Sequence, residues 1–315
     1  MNYLIIGAGG IGCYYGARLQ RAGHSVSYVA RGDNLKAMQK NGLQVKHPDI
    51  DFLEKVEVFS IHELVKNKDC SYYDLIILTT KSGSTFSILE YLRDWLDTAT
   101  TPFLSLQNGV DNESLISDVV GIKRTLGGLA VRIGGHIVSP GKIEAKGEAQ
   151  IIIGYWPNTK DSAIEHNKFL VALADELNSA SIPTKISLDI KYELWRKLLI
   201  NNGVNPLSAL TGLDTKALTC HPVLTDYVYL MMKEVASVAK VDNVILSQVD
   251  IDEMYHIICS FDAIKTSMLV DKEKGRTLEL DSICGAVLQR ASMLGVETPI
   301  TKLVNSLLML QNGNK

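Results

Sequence analysis

An α/β fold is what this sequence predicts: an N-terminal half built on a doubly wound, mostly parallel sheet, followed by an all-α C-terminal half. Three observations predict it. An apolar run at residues 3–6 enters a glycine-rich turn, GAGGIG at 7–12, and leaves it as a helix. Short apolar runs alternating with helical stretches then recur as far as residue 186. Beyond that point helical periodicity takes over. With 315 residues the chain is long enough for two cores, and the boundary is expected at 187/188, giving units 1–187 and 188–315.

Residues 3–6 read as a central strand buried on both faces. Gly7, Ala8, Gly9, Gly10, Ile11 and Gly12 then form the turn and open a helix that ends near Arg21, with Gly23 as its cap. Residues 25–30 (SVSYVA) are the second strand, which completes a βαβ unit. In that setting the first glycine of G-x-G-x-x-G makes the tight turn. The second lets the backbone approach a pyrophosphate, and the third packs helix on strand. The free N–H groups and positive end of the helix hold the phosphates, so a Rossmann-type dinucleotide-binding domain is expected. After the second strand comes Arg31, where an acidic residue would bind the ribose of NAD. A guanidinium suits a 2′-phosphate, so NADPH/NADP+ is the expected cofactor; Asp33 is the residue that favours NAD instead.

Strands at 74–79 and 102–106 end in Thr80-Lys81 and Gln107-Asn108-Gly109. Ligands of doubly wound sheets lie beyond the carboxyl ends of strands, which places Lys81 and Asn108 for cofactor or substrate. A surface lysine and an Asn-Gly turn would look the same locally. Segments 131–133 and 137–138, joined by Gly134-Gly135, predict antiparallel strands rather than further βαβ units. Residues 150–154, an amphipathic stretch from Asp161 to Ser179, and residues 183–186 complete the domain.

In the second half the informative segment is WRKLLINNGVNPL at 195–207. Lys197, Asn201 and Asn205 recur at i, i+4 and i+8, so a helix stacks them on one face. Their neighbours are apolar, so the helix is largely buried, and an unpartnered buried amide costs several kcal/mol. A ligand-facing row explains amides here better than a solvated stripe does. A partly desolvated lysine beside a cofactor can protonate a ketone oxygen. Ser267 is placed to donate to a carboxylate, and Glu279, on its residues alone, reads as a first-turn carboxylate favoured by the helix dipole.

Composition bounds the partners. Hydrophobic content of 46%, charged content of 21% and a net charge of −3 give no electrostatic reason to expect nucleic acid or an anionic membrane. No apolar run approaches the ~20 residues that span a bilayer, and the N-terminus lacks a signal peptide's basic region. The cysteines are scattered and odd in number, as expected of reduced thiols in a cytoplasmic protein. No metal is expected from the dispersed histidines. A homodimer through the helical domain is compatible with the sequence, although no heptad seam declares it.

Taken together, these residues resemble the ketopantoate reductase (2-dehydropantoate 2-reductase) family over nearly the whole chain. The resemblance rests on GAGGIG at 7–12, Arg31, Lys81, QNG at 107–109, WRKLLINNGVNPLSAL at 195–210 and TSML at 266–269. It implies that Lys197 is the general acid. Asn108, Asn201 and Asn205 would hold cofactor amide, substrate and lysine in register. Ser267 would contact the substrate carboxylate, and Glu279 would orient the substrate hydroxyl end and help position the lysine. The expected reaction is NADPH-dependent reduction of 2-dehydropantoate to pantoate, in pantothenate and coenzyme A biosynthesis. Two positions depart from the family pattern: Ile264 and Thr215 stand where asparagines are expected. They raise the alternative of another branched 2-oxo acid as substrate. A non-catalytic NADP(H)-binding sensor would be expected to have lost the lysine or the glutamate, and both are present.

Overall fold

The computed structural model describes residues 1–160 and 164–313. The chain divides into two compact units, Met1–Gln107 with Asn112–Ile190 and Asn108–Asp111 with Lys191–Lys315. Asn108–Asp111 thus count with the helical unit.

In the first unit the strands are β1 (Asn2–Ile6), β2 (Ser25–Val29), β3 (Leu43–His47), β4 (Ile50–Glu54), β5 (Glu57–Phe59), β6 (Leu75–Leu78), β7 (Phe103–Ser105), β8 (Thr125–Val131), β9 (Gly134–Ser139), β10 (Lys142–Lys146), β11 (Gln150–Tyr155) and β12 (Thr184–Ile186). Its helices are α1 (Gly10–Arg21), α2 (Gly32–Asn41), α3 (Ile61–Asn67), α4 (Thr85–Leu96), α5 (Asn112–Val120) and α6 (Ile164–Ser179). The stretch expected to be helical from Asp161 is described only from Ile164 on; Asp161, Ser162 and Ala163 lie outside the described residues.

Among the described residues, eight strands form one sheet in the order β12-β11-β8-β7-β6-β1-β2-β5, parallel except at β8–β11. β1 is central because both its faces are apolar: Tyr3, Leu4, Ile5 and Ile6 are at most 1% exposed. Pleating sends Tyr3 and Ile5 into the core that includes α1 and α6, and Leu4 and Ile6 into the core that includes α4 and α5. The chain winds from β1 to β2 on one side and from β6 to β7 on the other. The topological switch point therefore falls between β1 and β6, the expected place for a ligand crevice.

Val131 and residues 137–138 do lie in antiparallel strands, but those strands do not pair with each other as a hairpin. β8 pairs with β11 in the main sheet, whereas β9 pairs with β10 in a four-stranded sheet ordered β4-β3-β10-β9. Gly134 and Gly135 open β9 rather than turning a hairpin, and the bare backbone of Gly135 serves packing instead. A Cβ on Gly10 would sit 2.1 Å from the carbonyl carbon of Gly135, so α1 and β9 approach backbone to backbone.

In the second unit the helices are α7 (Ile190–Thr211), α8 (Thr215–Thr219), α9 (Leu224–Val238), α10 (Gln248–Cys259), α11 (Ser267–Glu273), α12 (Ala286–Leu294) and α13 (Pro299–Gly313). Its core joins Trp195, Leu198, Leu199 and Val204 of α7 with Val228, Met231, Met232 and Val235 of α9, all at most 1% exposed. Gly203 permits that contact, since a Cβ there would lie 2.8 Å from Met232 and 3.0 Å from the Val228 carbonyl. Buried Asn202 donates to Thr301 Oγ1 at 3.0 Å, and Glu234 accepts from the Ile300 and Thr301 N–H groups that open α13.

Candidate active site

The glycine turn is built at the end of β1. Gly7 has φ +112, a conformation that glycine adopts without strain, and a Cβ there would collide with the Thr80 backbone at 2.7 Å. The Gly7 and Ala8 N–H groups both bond to the Val29 carbonyl, which ties the turn to the end of β2. A Cβ on Gly12 would lie 2.3 Å from both the Gly7 carbonyl and Thr79 Oγ1, so this glycine is what lets α1 lie against the β1 and β6 ends. A Cβ on Gly9 would meet nothing within 4 Å. Gly9 is also the N-cap of α1 and provides no side-chain cap. An uncapped helix start with open space over its second glycine fits the pyrophosphate of a dinucleotide.

Arg31 is exposed at the end of β2, in extended conformation, as the N-cap of α2. Lys81 follows β6 and caps a short 3-10 turn at Ser82–Ser84. Lys81 thus follows a strand that flanks the switch point, and Arg31 follows the next strand beyond β1. Behind Lys81 lies a buried polar network: Gln107 Nε2 donates to the Thr80 carbonyl at 2.9 Å and to Thr85 Oγ1 at 3.0 Å, and Thr85 donates to Asn112 at 2.9 Å.

Sequence reasoning missed two residues here. Thr79 Oγ1 donates to the Gly7 carbonyl at 2.7 Å, and Asn34 donates to the Ala8 carbonyl at 2.8 Å while accepting from the Gly141 N–H at 2.8 Å. Each braces the turn from a distant strand or helix. Only Asn34 carried a signal, as a side-chain amide just after Arg31 in the first turn of α2.

In the helical unit Lys197, Asn201 and Asn205 all lie on α7, so the i, i+4, i+8 spacing does place them along one face. Asn205 Nδ2 donates to Asn201 Oδ1 at 3.4 Å. Asn205 is 7% exposed, whereas Lys197 and Asn201 are half-buried. Pro206 follows the row and cannot donate to the Asn202 carbonyl, which loosens the helix ladder beside it.

A second pair forms between residues 171 positions apart: Asn108 Nδ2 donates to Glu279 Oε2 at 3.3 Å. Glu279 precedes a π-helical turn at Asp281–Gly285 that runs into α12. Such turns often mark functional positions. Ser267 is exposed at the first position of α11, and it is not hydrogen-bonded to the other candidates.

Thr215 and Ile264, the two departures, touch each other. Thr215 N donates to the Ile264 carbonyl at 3.0 Å, and Thr215 Oγ1 donates to the Asp262 carbonyl at 2.7 Å and accepts from Ile264 N at 3.1 Å. The Thr215 hydroxyl is thus buried and committed to the backbone, while the Ile264 side chain is 51% exposed.

All five cysteines are free thiols; Cys13, Cys70 and Cys284 are buried. Among the described residues no helix is long and apolar enough to cross a membrane.

A glycine-turn α/β unit joined to a helical unit that carries a lysine–amide row defines a class: oxidoreductases that use a nicotinamide dinucleotide. Comparison with known proteins agrees. The sequence profile of ketopantoate reductase PanE/ApbA matches residues 3–158, and that of ketopantoate reductase PanE/ApbA C terminal matches residues 189–312. The 2-dehydropantoate 2-reductase of Pyrococcus abyssi is 30% identical over 304 residues, spanning 96% of this chain and 95% of that protein. The crystal structure of 2-dehydropantoate 2-reductase from Geobacter metallireducens is 28% identical, with a TM-score of 0.86 over 99% of this chain and 100% of the other. A D-mandelate dehydrogenase, solved with NADH and anilino(oxo)acetate, shares the fold at a TM-score of 0.88 and 23% identity, over 100% of this chain and 99% of the other. The chain belongs to the ketopantoate reductase PanE/ApbA family. It is an NAD(P)-dependent oxidoreductase of that family, with the mostly parallel α/β sheet and helical C-terminal region that its sequence predicts.

Proposed function

We propose that the protein reduces 2-dehydropantoate to pantoate with NADPH, as a cytoplasmic enzyme of pantothenate biosynthesis. The observation that carries this reading is the α7 row of Lys197, Asn201 and Asn205, which sets one ammonium beside two amides on a largely buried helix. When bound, NADPH supplies a hydride to the ketone carbon. Lys197 then gives its proton to the ketone oxygen as that oxygen gains negative charge. Asn201 and Asn205, already bonded to each other, hold substrate and lysine in register. Glu279 accepts from Asn108 and orients the hydroxyl end of the substrate, and Ser267 donates to its carboxylate. Gly7, Ala8, Gly9, Gly10, Ile11 and Gly12 hold the pyrophosphate, and Lys81 and Asn108 complete the cofactor contacts.

Arg31 is the residue assigned to the 2′-phosphate, its fork matching two phosphate oxygens. Arg31→Ala is expected to weaken NADPH binding by about tenfold or more, the worth of a charge-assisted pair, and to leave NADH binding unchanged. A fluorescence titration of both cofactors checks this. Equal losses for the two would assign the preference elsewhere, with Asp33 the first residue to examine.

A second reading, another branched 2-oxo acid, is favoured by the Thr215–Ile264 pair. The one hydroxyl there is spent on backbone, and the exposed side chain is aliphatic, so neither position offers a polar group to a hydroxylated substrate. Fold alone does not choose between substrates. Steady-state kinetics with a panel of 2-oxo acids decides: 2-dehydropantoate is expected to give the highest kcat/KM. If it turns over no better than 2-oxoisovalerate, the first reading falls.

A further inference from the structure

Arg290, on α12, is 7% exposed, and its guanidinium gathers three elements of the helical unit. Nη2 donates to Asp111 Oδ1 at 2.7 Å. Nε and Nη2 donate to Asp242 Oδ2 at 3.0 and 2.6 Å, and Nη1 donates to the Ala286 carbonyl at 3.2 Å. The guanidinium carbon also lies 5.1 Å from the centre of the Trp195 ring on α7. Burial disfavours the charge, but the hydrogen bonds to Asp242 and Asp111 overcome that and hold its pKa above the ordinary arginine value.

We infer that Arg290 is a positioning residue for the reaction. It acts through a two-point clasp on Asn108–Asp111 and through the seat of Trp195. The segment is held at both ends: Asn108 bonds Glu279, and Asp111 bonds Arg290. Glu279 in turn precedes the π turn and Arg290 lies midway along α12, which continues it. Freeing Asp111 removes one of the two ends by which the segment is held, while the Asn108–Glu279 bond stays. On α7, Trp195 and Lys197 are two positions apart, so they project about 200° apart around the axis. Seating the Trp195 ring under Arg290 therefore sets which way the Lys197 face turns. Lysine cannot replace this group, because one ammonium on a flexible stem lacks the fork that reaches two carboxylates while its carbon stays beside an indole.

The inference rests on the reductase reading above, so its test carries a readout that needs no turnover. Amide hydrogen exchange of residues 108–111 is measured in wild type, Asp111→Ala and Arg290→Lys, alongside cofactor titration and steady-state kinetics. Both variants are expected to exchange about tenfold faster in that segment and to lose about tenfold in kcat, with cofactor affinity falling no further than in Asn108→Ala. Asn108→Ala combined with Asp111→Ala is expected to lose little beyond Asn108→Ala alone, because the two residues act as one unit. Unchanged exchange in Asp111→Ala, or losses that multiply in the double variant, overturns the clasp. If the wild type reduces no 2-oxo acid, the reductase reading fails by itself, and the exchange measurement still decides whether Arg290 holds the segment.

Discussion

Lys197→Ala is expected to lower kcat by about 10²–10⁴-fold, the usual worth of a positioned general acid. Binding of the cofactor should change little, because the glycine turn proposed to hold it belongs to the other unit. The helix should survive as well, since alanine is the best helix former and the side chain removed is only half-buried. Lys197→Arg keeps the charge but holds its proton far more tightly than lysine does, so it is expected to restore little of the loss. Single-turnover rates at saturating cofactor check both variants. A Lys197→Ala enzyme that retains a tenth of wild-type kcat would sink the assignment and send the proton donor to another group.

Two alanine substitutions in the glycine turn are expected to separate folding from cofactor binding. Gly12 has helical geometry, so alanine there should by propensity alone stabilise α1 by about 1 kcal/mol. Instead its Cβ would lie 2.3 Å from the Gly7 carbonyl and from Thr79 Oγ1, and backbone must move. Gly12→Ala is therefore expected to cost about 1–3 kcal/mol of stability, as overpacking does, and to distort the phosphate cradle with it. Gly9→Ala meets no atom within 4 Å and keeps an extended backbone. It should melt like wild type yet bind the cofactor roughly 10–100-fold more weakly, because the new methyl fills the space that a pyrophosphate needs, at the cost of one or two charged hydrogen bonds. Thermal melts with and without NADPH distinguish the two. A Gly9→Ala protein with wild-type cofactor affinity would place the pyrophosphate elsewhere.

Much of the fold and part of the candidate site were legible because their signals are local. The apolar runs of β1, β2, β6 and β7 announce buried parallel strands, and the glycines at 7, 9 and 12 announce the turn between β1 and α1. The α7 row is legible for the same reason, since helical spacing alone stacks Lys197, Asn201 and Asn205. Residues 134–135 show where this fails: a glycine pair has one appearance whether it turns a hairpin or admits a helix, and only the nearby Gly10 backbone decides. Glu279 is similar. Its sequence setting fits a first-turn carboxylate, and the bond from Asn108, 171 residues earlier, is what draws it into the site.

By itself, then, the sequence determined the α/β-then-helical order, the glycine turn and the lysine–amide row. Each is a property of contiguous residues whose stereochemistry and periodicity act within one or two elements. Only the tertiary structure decided that Asn108–Asp111 belong with the helices, that Arg290 holds Asp111 across 179 positions, and that Thr215 spends its hydroxyl near Ile264. The physical reason is that a hydrogen bond between distant segments has no local signature. Its two groups look like ordinary surface polar residues until packing takes them out of water and leaves each other as partners.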